Sequence, residues 1–195
     1  MIRLGLTGSI GMGKSTTSKM FAAQGIPVVD ADAIVHELYT GEAVPAIEQA
    51  FPGTTGEGGV DRAKLSTALA EDPTGFKALE AIVHPLVWRK EREALEQARQ
   101  SGADIVLLDI PLLFENHAEG RVDKVVVVTC DRALQLQRVL ERPGMTEQKF
   151  QMILARQMPD AEKRKRADFL IDTGLGLDHA MRRVEEILLE LRSGR

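Results

Sequence analysis

The sequence predicts an α/β protein of three layers, a five-stranded, mostly parallel sheet with helices on both faces. Two observations predict it. Short apolar runs bounded by turn residues recur at 2–6, 26–29, 105–108, 122–128 and 169–171, with helical patterns between them. That alternation is what builds a parallel sheet. The 195 residues, 44% of them hydrophobic, suffice for one such core with an inserted lobe but hardly for two independent domains.

Taken in order, the first strand at 2–6 runs straight into glycines. A helix follows Gly13 and stops at Gly25, where glycine takes the left-handed closing position. The second strand at 26–29 leads to Asp30 and Asp32 and a helix over 33–39. Residues 30–104 then separate the second strand from the third, far more than a crossover helix needs, which predicts an inserted lobe. Inside it 61–70 is helical, Asp72 and Pro73 form a cap and first-turn pair, and 78–99 is helical with an interruption at His84 and Pro85, ending at Gly102. The third strand, 105–108, is followed by Asp109, and the fourth, 122–128, by Thr129, Cys130 and Asp131, with Asp131 as a cap for the next helix. A helical section over 132–167 is split by the turn Arg142, Pro143, Gly144. The fifth strand is 169–171, and a last helix over 177–191 carries an apolar stripe at Met181, Val184, Ile187, Leu188 and Leu191. The expected plan is a single domain over 1–195, with its core in 1–35, 103–131 and 167–195, a helical lobe at about 36–102 and a further helical segment at about 132–166.

Composition removes several function classes. Aromatic residues are only 4% and the net charge is −4, so neither base stacking nor a general attraction to polyanions is expected. No apolar stretch approaches the roughly 18 residues of a membrane-spanning helix, and no run at the start resembles a secretion signal. The single cysteine, Cys130, has no internal partner and reads as a small buried hydrophobe, which suits a reducing cytoplasm. Histidines 36, 84, 117 and 179 show no metal-ligand spacing, and His84 reads as a packing or capping residue.

The chemistry is announced at Gly8, Gly13, Lys14 and Ser15, which match G-x-x-x-x-G-K-[ST] between an apolar strand and a helix. A chance match in this length is on the order of 1%, and the strand-to-helix setting lowers it further. The expected fold is therefore that of the P-loop NTPases, and the expected cofactors are ATP and Mg²⁺. Glycines let successive N–H groups turn toward phosphates while the helix adds its positive end. Gly11, Met12, Gly13, Lys14, Ser15 and Thr16 are the candidate cradle, with Lys14 on the β and γ phosphates, Ser15 on Mg²⁺ and Thr16 near the α phosphate.

Ligands of parallel α/β proteins sit at the carboxyl ends of strands, and acids follow three of the apolar runs here: Asp30 with Asp32, Asp109, and Asp131. Asp109 follows four apolar residues and reads either as a magnesium carboxylate or as a structural carboxylate capping the next turn. Asp32 reads either as the base that accepts or orients a hydroxyl proton or as an ordinary helix cap. Between Arg132 and Arg166 lie nine lysines and arginines against four acids, a basic segment in an acidic chain. Beside a nucleotide site that suggests a lid whose arginines neutralise moving phosphoryl charge. Arg138 and Arg142 are spaced to point the same way, and Arg142 is the favoured catalytic arginine; the 163–166 charge run reads first as a solvated face.

A guanine-nucleotide switch would need an Asn-Lys-x-Asp reader, and the one asparagine, Asn116, precedes His117. The chain instead resembles the dephospho-CoA kinases over nearly its whole length. The marks are the 6–16 cradle, Asp30 with Asp32, His84-Pro85, Asp-Ile-Pro-Leu-Leu-Phe-Glu at 109–115, Arg138 with Arg142, Gln157, and Ala-Asp-Phe-Leu-Ile at 167–171. The resemblance implies transfer of the ATP γ phosphate to the ribose 3′-hydroxyl of dephospho-CoA, the last step of coenzyme A synthesis. Together with the composition it leads to the expectation of a cytoplasmic monomer with no nucleic-acid or membrane partner. It makes Asp32 the catalytic base and assigns the helical lobe to coenzyme binding. His84, Pro111, Leu112 and Glu115 would line the acceptor pocket, with Arg138 and Arg142 in a lid. Two features depart from the family: Thr173 stands where an asparagine is usual, and Arg142-Pro-Gly is not the commonest lid sequence.

Overall fold

The computed structural model describes residues 1–72 and 74–194, so the sequence expectation for Pro73 lies outside the described residues. The chain opens with β1 (Ile2–Thr7), α1 (Lys14–Ala23) and β2 (Val28–Asp30). The lobe contributes α2 (Ala31–Tyr39), α3 (Val44–Ala50), β3 (Thr55–Gly56), β4 (Gly59–Val60), α4 (Arg62–Glu71) and α5 (Gly75–Gln100). There follow β5 (Ile105–Asp109), β6 (Lys124–Thr129), α6 (Arg132–Leu140), α7 (Glu147–Leu154), α8 (Asp160–Arg166), β7 (Phe169–Asp172) and α9 (Leu177–Ser193). Two compact units result, one of Met1–Val29 with Ala98–Arg195, the other of Asp30–Gln97.

The first unit is built on a five-stranded sheet in the order β2-β5-β1-β6-β7, and β1 pairs in parallel with both β5 and β6. Leu6 stands opposite Asp109 on one side and Val126 on the other, and Thr129 stands opposite Asp172 on β7. The polar residues that end the strands are thereby gathered on one edge of the sheet. Alternate side chains Leu4, Leu6, Ile105, Leu107, Val126, Val128, Phe169 and Ile171 face one core. Met20 and Phe21 of α1 and the predicted stripe of α9 close over them. Val184, Ile187 and Leu188 are buried there, each contributing about 1.5–3 kcal/mol.

The second unit has its own core of Leu38, Ala43, Ile47, Leu65, Leu69 and Val83. The helix expected over 61–70 forms as α4, capped by Asp61, which accepts from the N–H groups of Ala63 and Lys64. Three details differ from the sequence reading. The helix expected at 33–39 begins at Ala31 and is capped by Asp30, whose Oδ1 accepts from the N–H groups of Asp32 and Ala33, so Asp32 is not the cap. Pro85 does not interrupt α5. Pro85 and Ala81, whose carbonyl loses its helical partner, are both exposed, and Leu79, Ile82, Val83, Leu86 and Val87 anchor the helix on both sides of the proline. The antiparallel pair β3–β4 was not legible, because two-residue strands show no alternation.

In the basic segment the Arg142–Gly144 turn falls between α6 and α7, with Gly144 at φ +72. A second break precedes α8, where Pro159 sits at the cap position. Asp131 caps α6 by accepting from the Ala133 N–H. No helix among the described residues is long and apolar enough to cross a membrane.

Candidate active site

Between β1 and α1 the backbone turns sharply, with the Met12 N–H donating to the Ser9 carbonyl at 3.1 Å. Gly11 and Gly13 hold φ of +79 and +91, values that glycine adopts without strain. The surroundings enforce the same choice. A Cβ at Gly11 would lie 2.6 Å from Val139 Cγ2, and one at Gly13 would lie 3.0 Å from Thr173 Oγ1. No side chain caps α1, and its opening turn carries no acidic residue. The N–H groups that open the helix are therefore left facing outward together with the positive end of its dipole, an arrangement suited to phosphate. Ser15 and Thr16 are exposed on that first turn.

Lys14 begins α1 and its ammonium pairs with Oδ1 of Asp109, the last residue of β5. The Asp109 side chain is 2% exposed and that of Lys14 is 16% exposed. The carboxylate that the sequence offers as a magnesium ligand or turn cap is thus held against a cation at the mouth of the cradle. Among the described residues no group of three or more His, Cys, Asp or Glu could hold a metal by itself. A divalent ion here would take much of its shell from water and phosphate.

Thr173, immediately after β7, ties three segments together. Its hydroxyl lies 2.8 Å from the Met12 carbonyl and 3.2 Å from the Thr129 carbonyl, sharing one proton between them, and accepts from Arg138 Nη1 at 2.9 Å. Arg138 Nη2 also donates to the Thr173 carbonyl at 3.0 Å. Beside this junction opens a cavity of about 220 Å³ lined by Gly11, Gly13, Thr16, Arg138, Arg142 and Thr173, among others. Arg142, just past the end of α6, is exposed and its guanidinium has no partner among the described residues. The two arginines the sequence pairs thus line one cavity but differ in state, Arg138 held and Arg142 free.

The loop after β5 is braced at both ends. Thr7 Oγ1 donates to the Pro111 carbonyl at 3.0 Å, while Leu112 remains 37% exposed. Glu115 Oε1 accepts from the Met158 N–H at 2.8 Å and lies 2.8 Å from Nζ of Lys163, whose side chain is fully buried. Burial pushes the Glu115 carboxyl up, but the Lys163 ammonium and the Met158 and Glu115 N–H groups outweigh it and hold the carboxyl below its usual range. The resemblance makes Glu115 a pocket residue, whereas this oxygen is taken up in joining the loop to α8. The 163–166 run is likewise not a uniform solvated face: Lys163 is buried, Arg166 lies over the Phe114 ring and 3.6 Å from Glu119 Oε1, and Lys165 pairs on the surface with Glu162.

In the second unit, Asp32 is exposed on the first turn of α2 and its carboxylate makes no hydrogen bond or ion pair among the described residues, since Asp30 has taken the capping role. His84 is exposed on α5 with its ring 5.8 Å from that of Trp88, and it neither breaks nor caps the helix. Cys130 is buried as expected, its Sγ 3.5 Å from the Met12 sulfur, and burial pushes its thiol up.

Sequence reasoning assigned no role to Thr173, Gln135 or Gln157, the residues that touch the cradle backbone. Thr173 was marked only as a departure and Gln157 only as a family mark. No local spacing could reveal contacts made across more than a hundred positions.

The family profile described as dephospho-CoA kinase matches residues 2–178. A dephospho-CoA kinase of Agrobacterium fabrum is 61% identical over 191 residues, covering 98% of each chain. One from Rhizobium etli is 58% identical, covering 98% of this chain and 95% of its own. Among solved structures, a protein from Thermus thermophilus superposes with a TM-score of 0.84 at 34% identity, covering 97% of this chain and 96% of its own. A dephospho-CoA kinase from Campylobacter jejuni superposes at 0.71 and 25% identity, covering 98% of both chains. A shikimate kinase from Acinetobacter baumannii, at 20% identity and 0.51, shares the fold. The chain belongs to the dephospho-CoA kinase family.

Proposed function

We propose that the protein transfers the γ phosphate of ATP to the ribose 3′-hydroxyl of dephospho-CoA, giving coenzyme A and ADP, with Asp32 as the base and Lys14 and Arg142 as the charge-stabilising groups. The observation that carries phosphotransfer is the uncapped start of α1 behind Gly13, with Lys14 as its first residue. The acceptor rests on family membership.

ATP lies with its phosphates on Gly11, Met12, Gly13, Lys14, Ser15 and Thr16. Lys14 leaves Asp109 to reach the β and γ oxygens, and Arg142, the uncommitted arginine of the nucleotide cavity, meets charge that builds on the transferred group. Arg138 orients the lid segment α6–α8 through Thr173. The buried Asp109 carboxylate, which already attracts a cation, and the exposed Ser15 hydroxyl fit Mg²⁺. When bound, magnesium supplies charge neutralisation between the β and γ phosphates. Asp32 accepts the proton of the acceptor hydroxyl; an exposed carboxylate with no structural partner is available for that task. His84, Pro111 and Leu112 contact the acceptor, and Glu115 positions the loop that carries Pro111 and Leu112.

The test is to incubate the protein with ATP, Mg²⁺ and a panel of dephospho-CoA, nucleosides and nucleoside monophosphates, and to identify the product by mass. Phosphorylation of dephospho-CoA at the ribose 3′ position is expected. A preferred product other than coenzyme A overturns the assignment.

A further inference from the structure

Ile10, in the middle of the cradle, has both of its main-chain polar groups taken by side chains from distant parts of the chain. Its N–H donates to Gln157 Oε1 at 3.1 Å, and its carbonyl accepts from Gln135 Nε2 at 2.7 Å. Gln135 lies on α6 and is 1% exposed; Gln157 lies between α7 and α8. One peptide-bearing residue of the phosphate loop is therefore held from both sides by the basic segment.

The orientation of the Gln135 amide is decided by its other neighbour. Its Oε1 accepts from Arg132 Nη1 at 3.1 Å, so Nε2 is the end presented to Ile10. Arg132 is itself held, its guanidinium 4.6 Å above the Phe150 ring and its Nη2 3.4 Å from Gln151 Oε1. A connected series of contacts thus runs from the buried Phe150 of α7 to the carbonyl of Ile10. The next residue, Gly11, approaches α6 so closely that a Cβ there would lie 2.9 Å from the Gln135 carbonyl. The cradle is shaped against α6.

We propose that Gln135 and Gln157 are positioning residues for phosphoryl transfer, clipping the two peptide groups that flank the Ile10 Cα so that the basic segment sets the conformation in which the cradle receives nucleotide. The inference rests on the phosphotransfer reading of the cradle but not on the identity of the acceptor. Neither glutamine touches substrate. Their effect is preorganisation: without the clip, the loop must be ordered at the cost of nucleotide affinity.

The two bonds have opposite polarity, and that makes a specific test. Glutamate at 157 still accepts from the Ile10 N–H, whereas glutamate at 135 cannot donate to the Ile10 carbonyl. Gln157→Glu and Gln135→Glu both add a carboxylate beside Ile10, at a half-buried and a fully buried position respectively, so thermal unfolding is measured to separate the cost of burying the charge from the hydrogen bond. Glu at 135 also keeps its acceptor toward Arg132, which preserves the helix contact. Calorimetric titration with ADP and thermal unfolding of both variants, with Gln135→Ala and Gln157→Ala alongside, read the two effects separately. The expected result is that Gln135→Glu, though its buried carboxylate lowers the melting temperature, is still folded at the titration temperature and binds ADP about tenfold more weakly than Gln157→Glu, the weight of one lost hydrogen bond. Equal ADP affinity in the two glutamate variants at a temperature where thermal unfolding shows both to be folded overturns the proposal. ADP binding is read without an acceptor, so a wild-type protein that binds ADP yet fails to phosphorylate dephospho-CoA refutes the acceptor assignment and leaves the clip standing.

Discussion

The Arg138 guanidinium holds Thr173 with both terminal nitrogens, Nη1 donating to the hydroxyl at 2.9 Å and Nη2 to the carbonyl at 3.0 Å. The same hydroxyl reaches the Met12 carbonyl of the cradle at 2.8 Å. Thr173→Val keeps the shape and removes the oxygen, leaving Arg138 and the Met12 carbonyl one partner short. A loss of roughly 1–3 kcal/mol is expected, with a fall in Tm of about 2–4 °C for each kcal/mol and a raised KM for ATP. Thr173→Ser retains the hydroxyl and should stay close to wild type. Equal behaviour of the two variants in thermal unfolding and steady-state kinetics counts against the junction.

Lys14 is both the phosphate ligand of the proposed mechanism and the partner of the buried Asp109 carboxylate. Lys14→Ala is expected to lower kcat by about 10²–10³-fold or more, with the far-ultraviolet circular dichroism spectrum unchanged. Substantial turnover in a clean preparation removes Lys14 from the mechanism.

Asp30 and Asp32 are two positions apart and are expected to separate by function. Asp30 accepts from two N–H groups at the start of α2, so Asp30→Ala should cost about 1 kcal/mol of stability. Asp32 accepts from none. Asp32→Asn should leave Tm unchanged and depress kcat by about 10²–10⁴-fold while the KM for ATP moves little. Near-normal kcat in Asp32→Asn ends its assignment as the base.

The Glu115–Lys163 pair ties stability to pH. The folded Glu115 carboxyl is held below its usual range, so its contribution is present above the unfolded value, near 4.3, and is lost as pH falls through the lower folded value. Glu115→Gln leaves the buried Lys163 without its counter-charge, and a loss of about 3–5 kcal/mol is expected near neutral pH. The gap between wild type and variant should narrow on acidification, because the wild-type carboxyl becomes neutral as well. Denaturant unfolding at a series of pH values from 7 downward measures it, and a gap independent of pH rules the ion pair out as its source.

What was legible from residues alone was chemistry confined to a few consecutive positions. The Gly8–Ser15 spacing, the closing glycine at Gly25, the cap at Asp131, the split at Arg142–Gly144 and the stripe on α9 all express backbone geometry that repeats within one or two turns. Local rules failed where two neighbours offered the same chemistry. Asp30 and Asp32 are equally good caps on paper, and the strand running one residue further decided between them. Pro85 reads as a break until the packing on either side of it is known.

The sequence by itself determined the fold class, the phosphate cradle and the residue types that carry phosphotransfer, because those depend on spacing along the chain. Only the tertiary structure decided which groups meet: Thr173 with Met12 across 161 positions, Gln135 and Gln157 with Ile10 across 125 and 147, and Lys163 with Glu115 in the interior. A side-chain amide or hydroxyl has no periodic signature of its own, and its partner is chosen by how strands and helices stack. The cradle is therefore written in consecutive residues, while the contacts that hold its shape come from three other segments of the chain.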